Sequence, residues 1–374
     1  MKVLSSYLKS KYVRAGIIVI ASVALLPSIG QCQARYTNPQ FLLIAPDARG
    51  KSLGGGGSVF SIGAISAYYN PALLVTSEEF SGEYNYCGYM PKIADDLFPK
   101  NIYLSSNYRD LLYFGMGYSK FSYGEQERMD ELGNLLGRFE SYESALGFWA
   151  AITFDPDNSF GAGIKYIESH LAEVGAGSER GRGDASTVAF DFGILSRNHL
   201  PEATWQNEKI FYPDLRRLFG VERDLGFSFG VSIANLGEGL EYIDEDQSYP
   251  LPKRLRLGLG YQAIDSEPVG LRLAVDATKI LVYMNDPFER EWYEIVWSYG
   301  LESTFYYLFS IRFGRMLDRD GHQRFNTIGF GIGPEWFSLD YSRVLDSDID
   351  WNRRGDEYSI SIRCNISPKT FKNF

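Results

Sequence analysis

The first residues that could do chemistry are Phe41-Leu42-Leu43-Ile44 followed by Gly50-Lys51-Ser52, an arrangement like a strand entering a phosphate-binding loop. That loop needs its first glycine where Ala45 stands, and it must open onto a helix whose N-terminal amides hold the phosphates. Here the chain runs on into Gly54, Gly55, Gly56 and Gly57, where a helix is costly, so no nucleotide site is assigned. Imidazole chemistry has His170, His199 and His322 to draw on, and none has a second ligand at helical or zinc-site spacing. A barrel-embedded hydrolase would need a serine, a histidine and an orienting polar residue on adjoining strands. With so many serines the sequence leaves that alternative open, but it singles out no nucleophile. The reading is therefore of a non-enzymatic protein, with no cofactor and no catalytic or metal residues.

The other chemistry-bearing side chains are charges set within alternating segments. Arg254, Arg256, Arg272, Arg312, Glu83, Glu294 and Asp340 could line an ion-selective pore, or they could close into a paired network. Charges in a narrow lumen are costly unless paired, and acids and bases are interspersed here, which favours the network. Strand aromatics such as Tyr84, Trp297 and Tyr341 read as lipid-facing or girdle residues rather than a ligand cage.

Strands must position these residues, because from Phe80 to Ile366 the dominant period is two. Phe305, Tyr307, Phe309, Ile311 and Phe313 share one face, with Tyr306, Leu308, Ser310, Arg312 and Gly314 on the other. Phe227, Phe229, Val231 and Ile233 likewise oppose Gly226, Ser228, Gly230 and Ser232. Lys165, Asp191, Arg256, Arg272, Asp276, Glu302 and Asp340 all keep to the second face.

The expected strands are 80–88, 101–108, 111–122, 142–154, 160–170, 186–196, 225–235, 254–263, 270–279, 293–302, 305–315, 325–332, 336–344 and 358–366, an even fourteen. Tight turns are expected at Arg109-Asp110, Asp155 to Ser159, Ser303-Thr304 and Gly333 to Glu335, and long loops on the other side, including Gly124 to Glu140. Arg197 to Asp224 breaks that rhythm. It is either a periplasmic insertion with a helix at Pro213 to Phe219, or a missed strand that inverts the later ones, and the insertion is favoured. All of this describes an all-β transmembrane antiparallel barrel. A soluble sandwich would alternate too; the leader, the 15% aromatic content and the glycine-rich polar face tip the balance.

Residues 1–34 read as a signal peptide. Lys2, Lys9, Lys11 and Arg14 form its basic region, Ala15 to Leu26 its apolar stretch, and Cys32-Gln33-Ala34 its cleavage site. A retained helix is disfavoured by Gly16 and Pro27 within a short run, and a lipoprotein by Gln31 before Cys32. The chain after residue 34 has 33 basic residues against 47 acidic ones, a net charge of −14, which argues against a nucleic-acid partner. Cys87 falls on the lumenal parity and Cys364 on the lipid-facing one at opposite strand ends, so no disulfide is expected.

Between leader and strands, Asp47 to Leu74 follows neither pattern and reads as a plug, residues 35–79, ahead of a barrel of residues 80–374. Gly54, Gly55, Gly56 and Gly57 suit tight packing or positive φ, and Asn70-Pro71-Ala72 a rigid turn into the first strand. Asp47-Ala48-Arg49, the glycine cluster and Ser66-Ala67-Tyr68-Tyr69-Asn70-Pro71-Ala72-Leu73 resemble the start of mature PorV/PorQ-type proteins and of the related FadL-type channels. Ala234-Asn235-Leu236-Gly237, Pro250-Leu251-Pro252 and Leu255 to Tyr261 are similar to a second PorV/PorQ block.

The resemblance implies an outer-membrane barrel whose N-terminal segment is a hatch. It also implies contact with exported cargo proteins and secretion-system subunits in type IX-like secretion. In the FadL alternative the barrel passes hydrophobic small molecules such as long-chain fatty acids. Arg197 to Asp224 departs from the compact turn of that pattern.

Overall fold

Alternating apolar and small polar residues can bury only one face of a strand, and a long run of such strands satisfies its edges by closing on itself. In the computed structural model, which describes residues 37–91, 96–129, 132, 134–172, 183–199, 226–242, 248–266, 268–282, 284, 286–334, 336–347 and 357–366, that is what they do. The first half of the barrel is β1 (Phe80–Gly88), β2 (Phe98–Tyr108), β3 (Leu112–Met129), β4 (Leu135–Asp155), β5 (Asn158–His170), β6 (Asp184–His199) and β7 (Gly226–Gly237). A short ribbon, β8 (Leu240–Glu241) with β9 (Ser248–Tyr249), precedes β10 (Arg254–Asp265) and β11 (Gly270–Ile280). The rest is β12 (Val296–Phe305), β13 (Phe309–Asp318), β14 (Gln323–Ile332), β15 (Phe337–Ser347) and β16 (Tyr358–Ile366).

Apart from β8 and β9, the fourteen described strands form one closed antiparallel barrel, with β1 joined to β16 through Phe80↔Ile366 to Gly88↔Tyr358. β6 pairs directly with β7, so no strand intervenes there and the later strands are not inverted. Residues 200–225, with the expected helix at Pro213 to Phe219, lie outside the described residues, as does the leader.

Parity is as read. On β13, Phe309 and Phe313 are each 48% exposed while Arg312 between them is 5% exposed, so the aromatics face outward and the guanidinium inward. Tyr84 and Tyr341 also stand outward, a surface that suits lipid. Cys87 is buried, Cys364 exposed, and both are free.

Three expectations are corrected. Gly124 to Glu140 is mostly ladder, since β3 and β4 stay paired through Glu127↔Arg138 out to Met129↔Leu135. Polar residues on both faces there erase the alternation, while backbone bonds and the Glu127–Arg138 ion pair at 2.8 Å keep the strands together. Ser303 and Thr304 are in β12, and the turn falls at Tyr306 and Tyr307, both at φ 53°. That conformation is usually signalled by Asn or Gly, so two tyrosines give no cue. Glu294 is not lumenal; it follows helix α3 (Phe288–Tyr293) and pairs with Lys279 and Arg290.

Residues 37–79 pack inside the barrel. They contain two short helices, α1 (Ala48–Ser52) and α2 (Ser66–Tyr69), and 3-10 turns at Gln40–Leu43 and Pro71–Thr76. Val59, Ile65, Leu73 and Leu74 pack on Tyr103, Tyr113, Trp149 and Leu195 of β2, β3, β4 and β6, forming an apolar core. Phe41 and Leu42 join a second core with Phe121, Ala145 and Ile167. The wall from β10 round to β1 meets the same segment through polar and charged groups, so the segment has one greasy attachment and one ionic one.

Candidate functional site in the barrel lumen

α1 sets the ionic attachment. Asp47 caps it, accepting from Gly50 N at 2.9 Å and from the Tyr69 hydroxyl at 2.6 Å. Burial, then the adjacent Asp47 carboxylate, push the Tyr69 phenol well above its ordinary pKa and keep it a donor. Two residues apart on a helix point in nearly opposite directions, so Arg49 and Lys51 reach different parts of the wall.

Arg49 forks onto Glu302 of β12, with Nε at 2.9 Å and Nη2 at 2.8 Å from its two oxygens. Arg312 Nε donates to the same carboxylate at 2.6 Å, and Arg312 Nη1 to Asp340 Oδ1 at 2.6 Å. Arg272 Nη1 lies 3.5 Å from Glu302. Glu302 therefore sits among three guanidinium groups, directly cross-strand from Arg272 and Arg312. Arg312 reaches Asp340 across β14 because that strand offers glycine there. A Cβ at Gly331 would stand against the Asp340 carboxylate and 3.0 Å from the Arg312 nitrogens. Of the expected lumen residues, Arg272, Arg312 and Asp340 thus share one network, bound to Arg49 and Glu302.

Lys51 Nζ lies 2.8 Å from Glu357 Oε1 and 2.6 Å from Cys87 Sγ. Burial works against its ammonium, but the neighbouring Cys87 and Glu357 outweigh burial and raise its pKa above the usual lysine range. The phosphate-loop look-alike is thus a wall contact, with an acid rather than an anion site at its helix start.

The glycine cluster lies against β11 to β13. Gly54 and Gly55 have φ of 73° and 84°, and a Cβ at Gly54 would lie 2.6 Å from the Arg315 carbonyl oxygen. Ser298 Oγ donates to Gly54 O at 2.8 Å, while Asp276 accepts from Gly57 N at 2.6 Å and from the Ser58 hydroxyl. Asn70 is not a simple turn: its side chain caps Ala72 N at 3.0 Å, with Pro71 opening the 3-10 turn, and also donates to Ile194 O at 3.0 Å on β6. Arg254 and Arg256 are a separate pair. Arg254 donates to the Tyr68 hydroxyl at 2.9 Å, and Arg256 stacks 5.1 Å from the Tyr69 ring centre.

Arg49, Lys51, Glu302, Asp276 and Glu357 are the anchors that sequence reasoning did not single out as sites. Inward parity marked Glu302 and Asp276, but nothing local marked their partners. Lys165 on β5 pairs with Asp191 of β6 at 2.9 Å, and Trp149 Nε1 donates to the same carboxylate at 2.9 Å. His170 pairs with Asp184, and His322 sits in the β13–β14 turn. Among the described residues no group of three or more His, Cys, Asp or Glu could hold a metal ion.

A cavity of about 20 Å³ is lined by Phe41, Leu42, Tyr68, Tyr103, Trp149 and Lys165, among others, enough for a water rather than an apolar ligand. At the barrel end where β11 finishes, Glu289, Arg290, Tyr293, Asp320 and His322 border an open cleft of about 600 Å³.

A family model described as type IX secretion system protein PorV matches residues 30–287. Comparison with curated proteins gave no match. Among solved structures, the toluene transporter TodX of P. putida aligns at TM-score 0.50 and 12% identity, over 87% of this chain and 99% of that one. The TodX monoaromatic hydrocarbon channel deltaS2 mutant gives TM-score 0.51 and 13% identity, over 87% and 100%. The Ralstonia pickettii toluene transporter TbuX gives 0.49 and 13%, over 87% and 100%. At such identities the likeness to TodX is one of fold.

Proposed function

The chain belongs to the family of the type IX secretion system protein PorV, and from that premise we propose that it is a non-enzymatic outer-membrane barrel that engages exported proteins at its outer end. Residues 1–34 direct its export, residues 35–79 are the hatch, and residues 80–374 form the barrel. The end where β1 starts faces the periplasm, and the longer connections face outward, as in outer-membrane barrels generally. The observation that carries this reading is the occupied lumen: the segment is held on both sides, and the cavity between it and β2 to β5 measures about 20 Å³. A resident path for apolar molecules needs a larger greasy pocket, whereas a docking barrel needs only a rigid frame and exposed loops.

The second reading, a channel for hydrophobic small molecules, draws on the apolar lining of that small cavity and requires the hatch to move aside. Affinity capture of the protein from detergent-solubilised outer membranes separates the two. Recovery of secreted proteins or secretion-system subunits is the expected result. Clean protein carrying bound lipid would overturn it in favour of the second reading.

A further inference from the structure

We propose that Arg315 of β13 and Arg324 of β14, flanked by Arg343 of β15, form a site on the outside of the barrel for the phosphate groups of a glycolipid headgroup in the outer leaflet. The proposal goes beyond the docking of exported proteins and rests on one part of that reading, that the end where β13 finishes faces outward.

The three arginines stand on the lipid-facing side of the wall. Arg315 continues the outward parity of Phe309 and Phe313 on β13, and Arg315, Arg324 and Arg343 are all exposed. Arg315 is directly opposite Asn326, and Leu317 opposite Arg324, so the two arginines are diagonal neighbours, about 7–8 Å apart at the backbone. Like charges that close repel unless an anion joins them. Among the described residues neither Arg315 nor Arg324 has an ion pair, while Asp318 accepts from Gly321 N at 2.8 Å and Asp320 pairs with Arg290. Three arginines against one acid in register with them, Asp346 opposite Asn326, leave the patch positive.

Their height follows from the strand tilt. A line carried across the ladder from Phe305, the last residue of β12, reaches Ile332 on β14, Tyr84 in the middle of β1 and Val188 near the outer end of β6. The line therefore climbs toward the outer end, by about 3 Å per strand at the tilt usual for such barrels. Arg343 is opposite Ile328, two residues below Asn326. Two strands of climb, about 6 Å, offset that drop of about 5 Å and bring Arg343 level with Arg315. From the Tyr306–Tyr307 turn to Arg315 is about 20 Å of height, against roughly 25 Å for the apolar band of a barrel. With those exposed tyrosines at the inner interface, the arginines lie at the outer one, where a charge on the lipid face costs least.

Position and chemistry together select the ligand. Below Arg315 the wall turns apolar, with Leu301, Phe313 and Ile328 in one row, a bed for acyl chains that continues the lipid-facing surface. Tyr299 stands directly opposite Arg315 and Trp297 opposite Leu317, as girdle residues do at a headgroup boundary. A guanidinium forks onto phosphate through two parallel N–H donors, and two of them at this spacing suit a headgroup that carries two phosphates. Other outward cations near this end are already matched, Lys120 by Glu140 at 3.0 Å and Lys279 by Glu291 at 2.7 Å. The excess of positive charge lies at the arginines.

The test is native mass spectrometry of the purified full chain in detergent, titrated with bisphosphorylated lipid A, its dephosphorylated form and phosphatidylglycerol. Wild type should bind the bisphosphorylated form at least about tenfold tighter than the dephosphorylated one, and excess inorganic phosphate should not displace it. Arg315→Gln with Arg324→Gln should weaken that binding about tenfold. Lys120→Gln, which removes a cation already paired with Glu140, should change it by less than about twofold. Heat-modifiable gel mobility confirms that each variant is folded. Equal affinity for the two forms of lipid A, displacement by inorganic phosphate, a double variant that binds like wild type, or an equal loss in Lys120→Gln overturns the site and leaves the orientation standing. A preference for phosphatidylglycerol over lipid A that disappears in the double variant places this end at the inner leaflet, and overturns the orientation and the ligand class together.

Discussion

Glu302→Gln asks whether the two attachments of the N-terminal segment are separable. The native carboxylate accepts two bonds from Arg49, at 2.8 and 2.9 Å, and one from Arg312 at 2.6 Å, with Arg272 at 3.5 Å. The Arg49 and Glu302 side chains are 7% and 4% exposed, so water cannot replace the lost charge. Arg312 keeps Asp340 and Arg272 keeps Gln262, which leaves the loss mainly on Arg49, whose other acceptor is the Phe60 carbonyl.

Breaking one side of a buried ion pair costs about 3–5 kcal/mol. The glutamine oxygen can still accept one donor, which puts the expected figure near the lower bound, about 3 kcal/mol, or roughly 100-fold in the population with residues 47–57 detached. Hydrogen exchange by mass spectrometry on the full chain in detergent reads this directly. Protection over 47–57 should fall roughly 100-fold while 65–75, packed on Tyr103, Trp149 and Leu195, stays within about threefold. Adding Arg49→Met should restore much of the loss, because no buried charge then lacks its partner. Equal loss over both stretches would refute separability, and undiminished protection over 47–57 would refute an ionic attachment.

Gly54→Ala places a Cβ 2.6 Å from the Arg315 carbonyl at φ 73°, and should cost at least about 1–2 kcal/mol, read as increased exchange over 47–57 with the barrel still heat-modifiable. Lys51 has a folded pKa raised above the ordinary one, so its stabilisation is complete below the unfolded value of about 10.4 and is lost only as pH rises through the higher folded value. The difference in Tm between wild type and Lys51→Met should therefore be flat from about pH 7 to about pH 10; a decline inside that window would contradict the ion pair. Phe313→Arg puts a charge on the outward face and should destabilise the folded barrel in bilayers by about 2–4 kcal/mol if the position lies near mid-membrane, measured by urea titration.

The fold is legible because a barrel wall writes itself residue by residue: Phe313 outward, Arg312 inward, and so on along each strand. Legibility fails where that rule lapses. Between Glu125 and Glu140 both faces of the β3–β4 hairpin are wet, and the alternation that marks a strand disappears although the ladder continues. At Tyr306 and Tyr307 the turn depends on backbone angles that tyrosine seldom advertises. In the lumen, parity shows which side chains point inward but not what they meet. Arg49 and Glu302 are 253 positions apart and come together only through closure of the barrel. For the same reason Lys51, in a run that looks like a phosphate loop, reads correctly as no ligand site yet carries no local sign of its tie to Glu357.

That closure has a consequence for the order of assembly. The segment carrying Arg49 and Lys51 is made first, and Glu302, Asp340 and Glu357 come from the last third of the chain. Loop-closure entropy over such separations grows slowly with length but must be met before any contact forms. The greasy half of the segment can therefore settle onto β2 to β6 early, while its cationic half waits as unmatched charge in an unfinished cylinder. When β12 to β16 arrive, they supply the missing acids and the final strand pairing to β1 together. Zipping the seam and seating the cations then become a single late event, and a strand that reaches β1 without the segment in place would enclose Glu302 without its Arg49 partner.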